Sequence, residues 1–164
     1  MPNKENLKTA LLDLIKFKSI TGNQAEIKKV FDYIENLFPK DIFACEYLEC
    51  EGVISQVIYF KGANWRKAAL LLNGHIEVVP AGDEEFMPRI EGNKIYGRGT
   101  ADMKGGVAAM IFALLRLADG KEKPDCALIL NSDEEIGGQN GVGYLVEKEN
   151  LRPGFVLSPD GPCG

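Results

Sequence analysis

The chain has 164 residues, 45% hydrophobic and 26% charged, with a formal charge of −5 and a pI near 5.0. That balance builds one globular domain with a sizeable core and excludes a disordered or collagen-like chain. No basic run tracks a phosphate backbone, and the longest apolar stretches, Ala68–Leu72 and Val107–Leu115, fall far short of a bilayer span, so neither nucleic acid nor a membrane is an expected partner.

The opening residues Met1–Asn6 lack the apolar segment of a secretory signal, which makes the cytoplasm the expected location. Leu7, Leu11, Leu14 and Ile15 recur at helical spacing and predict an amphipathic helix that stops near Thr21-Gly22. Asn23 and Glu26 form a capping-box pattern for a second helix. That helix carries Ile27, Val30, Phe31, Ile34, Leu37 and Phe38 on one face, and Pro39 ends it. The period then changes: Ile42–Tyr47 and Val53–Phe60 read as neighbouring strands around a turn at Glu51-Gly52. Gly62–Arg66 reads as a turn and Lys67–Asn73 as a buried strand, apolar on both sides. A loop with Pro80, Gly82 and Pro88 leads to a short strand at Lys94–Tyr96. Met103–Ala118 is a helix with Val107, Met110, Ile111, Leu114 and Leu115 in phase. Cys126–Asn131 is a second continuous apolar strand, Gly141–Glu149 a short helix and Phe155–Leu157 a last strand. Helices alternating with fully apolar strands predict an α/β three-layer sandwich around a mostly parallel sheet, in one domain. The four cysteines (Cys45, Cys50, Cys126, Cys163) make no C-x-x-C pair and read as buried or idle thiols.

The informative residues lie just beyond each strand. Ala68–Asn73 runs into Gly74-His75-Ile76-Glu77, and His75 is the single histidine of the chain. Asp102 precedes the long helix, Ser132-Asp133-Glu134-Glu135 succeeds the second apolar strand, and Ser158-Pro159-Asp160 the last. Taken singly, Asp102 is a helix cap, Glu134-Glu135 a helix-start acid pair and Asp160 a turn residue. Together they fall where open α/β sheets bind ligands, outside the carboxyl ends of the strands. Parallel strands would gather several carboxylates around one imidazole. Such a cluster repels itself unless one or two divalent cations neutralise it, and mixed imidazole and carboxylate donors suit zinc, with manganese or cobalt as alternatives.

Three segments in order carry a family resemblance: Gly74-His75-Ile76-Glu77-Val78-Val79-Pro80, then Ile95-Tyr96-Gly97-Arg98-Gly99-Thr100-Ala101-Asp102-Met103-Lys104-Gly105-Gly106, then Ser132-Asp133-Glu134-Glu135. With Phe17-Lys18-Ser19-Ile20-Thr21-Gly22 at the first helix junction, the chain resembles the M20 metallopeptidases, a group that includes aminoacylase, acetylornithine deacetylase, succinyl-diaminopimelate desuccinylase and metallodipeptidases. The resemblance implies a two-zinc site. His75 and Asp160 would bind one ion, Asp102 would bridge both, and Glu135 would bind the second. Glu134 would be the general base, and a cis peptide would come directly after Asp102. The reaction implied is hydrolysis of an amide bond in a small peptide or N-acyl amino acid, by a metal-activated water and without a covalent intermediate.

The chain departs from the family pattern in two places. The family's H-x-D is His75-x-Glu77 here, so the acid that orients the histidine is one methylene longer and reaches the ring by a different rotamer, with weaker metal binding expected. Family members are longer: they insert a lid and dimerisation domain after this point, complete the sheet and supply another metal-binding histidine. Residues 1–164 therefore read as the N-terminal portion of the catalytic domain, incomplete, with an exposed sheet edge prone to self-association or homo-oligomer formation. Asp160, rather than Glu, at the terminal ligand position resembles the di- and tripeptidases more than the deacylases. A rival reading, a non-catalytic metal-binding or assembly module on the same scaffold, rests on Glu77 and the single histidine.

Overall fold

A computed structural model describes residues 4–120 and 123–161; the expectations that rest on Met1–Asn3 and on Cys163 lie outside the described residues. Helix α1 (Lys4–Lys16) buries Ala10, Leu11, Leu14 and Ile15, and helix α2 (Gln24–Glu35) buries Ile27, Val30, Phe31 and Ile34. These are the stripes that spacings of three and four residues dictate. The Asn23 side chain accepts the Glu26 N–H at 3.4 Å, while the Glu26 carboxylate pairs with Lys29 instead of returning to Asn23. Helix α2 ends ahead of Pro39, so Leu37 and Phe38 lie in the turn beyond it, where Phe38 is still buried.

Strands β1 (Phe43–Cys50) and β2 (Val53–Phe60) form a hairpin whose two turn residues, Glu51 and Gly52, both have positive φ, 49° and 78°. That conformation matches the right-handed twist of the flanking strands. Trp65–Lys67 coils into a 3-10 turn over the buried indole, so β3 (Leu70–His75) starts later than the apolar run predicts and ends on the histidine itself. Strands β4 (Arg89–Glu91) and β5 (Lys94–Tyr96) form a small separate hairpin. The first was not expected, because all three of its residues are exposed and no apolar period marks it. Helix α3 (Gly105–Leu117) begins two residues later than predicted, because Thr100–Lys104 is irregular and holds the cis peptide between Asp102 and Met103. Strand β6 (Cys126–Asn131) is buried throughout. Helix α4 is only Tyr144–Glu147, shorter than Gly141–Glu149, because the Gly141 backbone is non-helical. Strand β7 (Phe155–Leu157) closes the set.

The five-stranded sheet has the order β1-β2-β6-β3-β7. Strands β6, β3 and β7 run parallel, and the β1–β2 hairpin joins β6 antiparallel, so the sheet is mixed with a parallel centre. Helices α1, α2 and α3 cover one face in a single apolar cluster. On the other face Val57, Leu71, Ala127 and Ile129 meet Trp65, Leu145 and Leu151. The result is the expected three-layer α/β architecture. Among the described residues no helix is long and apolar enough to cross a membrane, and Cys45, Cys50 and Cys126 are free thiols.

Two further contacts position the site. Val78 N–H donates to the Ser19 carbonyl at 3.0 Å, Thr21 N–H to the Val78 carbonyl at 3.1 Å, and Ser19 Oγ to the Ile76 carbonyl at 2.7 Å. The junction between α1 and α2 thus lies against the segment leaving β3. The same junction receives Lys104, fully buried, whose Nζ donates to the carbonyls of Leu14 and Phe17 at 2.9 Å each.

Candidate metal centre

Parallel pairing puts the C-terminal ends of β3, β6 and β7 side by side, with His75 opposite Asn131. His75 is 1% exposed, and its ring is fixed from one side: Nδ1–H donates to the Glu77 carbonyl at 3.0 Å, with Glu77 Oε2 at 3.6 Å. That bond leaves Nε2 facing outward. Around it lie Asp102 Oδ1 at 3.0 Å, Glu134 Oε2 at 3.7 Å and Asp160 Oδ2 at 3.9 Å. The main-chain N–H of His75 donates to the Met103 sulfur at 3.3 Å, which ties β3 to the Asp102 loop.

All six residues singled out from the sequence are brought together. Donor atoms of His75, Asp102 and Glu135 lie within 4.8 Å of one another, and so do those of His75, Glu134 and Asp160. Glu134, assigned a base role from the resemblance, therefore also stands at ligand spacing. Glu77 is fully buried and does more than face the ring: its Oε1 accepts the Glu135 N–H at 3.2 Å. The longer side chain reaches across to the second acid segment.

The electrostatics are those of a cation site. Burial alone would push the His75 imidazolium down, but the hydrogen bond and charge of Glu77 and the charge of Glu134 outweigh it and raise its pKa from 6.5 to about 9. Burial lifts the Glu134 carboxyl above its ordinary range; His75 pulls it back, and Asp160, Glu77 and Asp102 push it up again. Glu135 is raised by burial and then by the Asp102 charge. A nitrogen lone pair confronted by carboxylate oxygens needs a proton or a metal between them, and one imidazole with several carboxylates is a donor set that zinc, cobalt or manganese accepts.

Two residues that the sequence showed without a role matter here. Lys104 anchors the Asp102 segment to α1, and burial pushes its ammonium down from 10.5 to about 7. A lysine beside the apolar start of α3 was the available signal. Asp133, next to the two glutamates, is buried and accepts the N–H groups of Asn140 and Gly141 at 2.9 Å each. The glycines at 137, 138 and 141 were the sign of a tightly wound loop.

The profile of peptidase family M20/M25/M40 matches residues 71–163. The chain belongs to that family. Its relatives include the succinyl-diaminopimelate desuccinylase of Helicobacter pylori (strain P12), 33% identical over 92% of this chain and 43% of that protein. The desuccinylase of Wolinella succinogenes is 35% identical over 89% of this chain and 38% of the relative. Among solved structures, the M20 family metallo-carboxypeptidase Sso-CP2 from Sulfolobus solfataricus superposes with a TM-score of 0.72 at 25% identity, covering 98% of this chain and 38% of that one. Human carnosine dipeptidase 1 shares the fold at a TM-score of 0.71 and 19% identity, covering 96% of this chain and 38% of that one. This M20 chain spans about two fifths of the length of these proteins.

Proposed function

We propose that this M20 chain is the N-terminal portion of the catalytic domain of a longer, cytoplasmic, metal-dependent hydrolase that cleaves amide bonds in small N-acyl amino acids or peptides. In this reading the lid and dimerisation domain and the C-terminal half of the catalytic domain belong to the remainder of that protein. The observation that carries the reading is the outward Nε2 of His75, ringed by the carboxylates of Asp102, Glu134 and Asp160 within 3.9 Å. The names of the relatives point to the substrate class: desuccinylases by sequence and, by fold, a carboxypeptidase and a dipeptidase.

His75 and Asp160 would hold one divalent ion, Glu135 the other, and Asp102 would bridge them; zinc suits these donors, with cobalt or manganese as alternatives. When bound, the ions would lower the pKa of a water and polarise the scissile carbonyl. Glu134 accepts the proton of the attacking water and returns it to the departing nitrogen. A carboxyl held above its ordinary range, as burial holds Glu134, is suited to that double duty. Glu77 keeps the His75 ring in place and steadies Glu135 through its main-chain N–H.

The test has two arms. Zinc and cobalt titrations of the chain should show binding that His75→Ala abolishes, while Glu134→Gln retains it. In the full-length protein, hydrolysis of N-succinyl and N-acetyl amino acids and of dipeptides should fall by roughly 10²–10⁴-fold in Glu134→Gln. Metal bound without hydrolysis of any of these substrates would sink the enzyme reading in favour of a binding module. Loss of metal in Glu134→Gln would move that residue from base to ligand.

A further inference from the structure

Asp133 lies between the end of β6 and the two glutamates, and is 2% exposed. Its main-chain carbonyl accepts the N–H groups of Ile136 at 3.2 Å and Gly138 at 2.8 Å. Its carboxylate Oδ2 accepts those of Asn140 and Gly141 at 2.9 Å each. Four peptide N–H groups from one short loop therefore converge on a single residue. The turn needed for this passes through Gly137 and Gly138, with φ of 103° and 65°, conformations that a side chain disfavours. Gly141 comes so close that a Cβ there would sit 2.1 Å from Asp133 Oδ1.

Glu134 and Glu135 sit inside this winding. Among the described residues no hydrogen bond holds either carboxylate, and Glu134 meets His75 only at 3.7 Å. Their direction is set by the backbone that carries them, and that backbone is held by Asp133 from within the loop and by Glu77 at the Glu135 N–H. The second oxygen of Asp133, Oδ1, is buried without a hydrogen bond. The residue also lines a cavity of about 30 Å³ together with Asn73, His75, Asn131, Glu134 and Asp160.

We propose that Asp133 is a positioning residue of the metal centre: it winds the 134–141 loop about its own peptide and carboxylate, and so aims Glu134 and Glu135 at His75. This rests on the metal-binding reading above. Two variants of the full chain test it by different routes. Asp133→Asn removes the charge and half of the acceptor capacity at nearly constant shape. Gly141→Ala keeps the charge and forces the carboxylate away from the loop. Circular dichroism and the metal-free thermal midpoint identify variants that remain folded. Zinc affinity and the visible spectrum of the cobalt-loaded chain then report the geometry of the donors.

Both folded variants should bind zinc roughly 10–100-fold more weakly than the unmodified chain, with an altered cobalt spectrum. If the unmodified chain binds metal and both variants match it in affinity and spectrum, the positioning role is wrong while the metal reading stands. If the unmodified chain binds neither ion, the metal reading fails and the positioning role falls with it.

Discussion

The main-chain N–H of Glu135 donates to Oε1 of Glu77 at 3.2 Å, across 58 residues of sequence. The same Glu77 accepts the ring N–H of His75 through its carbonyl. One side chain with its peptide therefore fixes an imidazole on β3 relative to an acid that lies just past β6. The hydrogen bond and charge of Glu77 are also the leading influences that raise His75. Glu77→Gln should lower the His75 pKa from about 9 toward its ordinary value. Because the chain has a single histidine, its ring proton signals in an NMR titration report this directly, and an unchanged titration would remove Glu77 from the account.

The same shift makes the metal-free chain sensitive to pH. A pKa raised on folding from 6.5 to about 9 means that the folded state holds a proton that the unfolded state has released between those values. This contribution to stability is whole below about pH 6.5 and disappears as pH rises through about 9. Metal must displace that proton, so zinc affinity should rise over the same interval. Lys104, lowered to about 7, contributes in the opposite sense above that value, so the His75 share is read as a difference. In chelator, the thermal midpoint of the unmodified chain minus that of Glu77→Gln should shrink from pH 6 to pH 9, and the midpoint gained on adding zinc should grow over the same range.

Lys104 gives a third expectation. Its bond to the Leu14 carbonyl is buried and that to the Phe17 carbonyl partly so, and Lys104→Met leaves both acceptors bare. Removing one partner of a buried, charge-assisted bond exposes its full desolvation penalty, so unfolding free energy should drop by about 2–3 kcal/mol. Urea denaturation of the metal-free chain measures it, and a loss below about 0.5 kcal/mol would show that the acceptors find other donors.

Strand β7 presents Phe155, 63% exposed, with Val156 and Leu157 half exposed, on a strand paired on one side only among the described residues. Unpaired apolar edges recruit further strands. The chain should self-associate in sedimentation velocity, and Phe155→Lys with Leu157→Lys should shift it toward the monomer. A monomer at high concentration without these changes would contradict the expectation.

The parallel centre of the sheet was legible because β6 and the body of β3 are apolar on both faces, a pattern that only doubly covered strands need. The gathering of His75, Asp102, Glu134, Glu135 and Asp160 was legible from their place after successive strands. The limits of α3 and α4 were hidden, because helical period carries no information about the irregular backbone at Asp102-Met103 and Gly141. Strand β4 was invisible for the opposite reason: a fully exposed strand leaves no apolar alternation to read. The reach of Glu77 to Glu135 lay beyond sequence altogether, since it depends on how two distant loops meet.

Ser19 and Lys104 bond through one short junction to the segments that bear His75 and Asp102. A stretch with no metal-binding group of its own thereby governs the spacing of groups that have one. Proteolytic trimming ahead of Gln24 would strip away the Ser19 hydroxyl donor and the Leu14 and Phe17 carbonyl acceptors, and the imidazole and the aspartate would drift apart even where the central strands stayed paired.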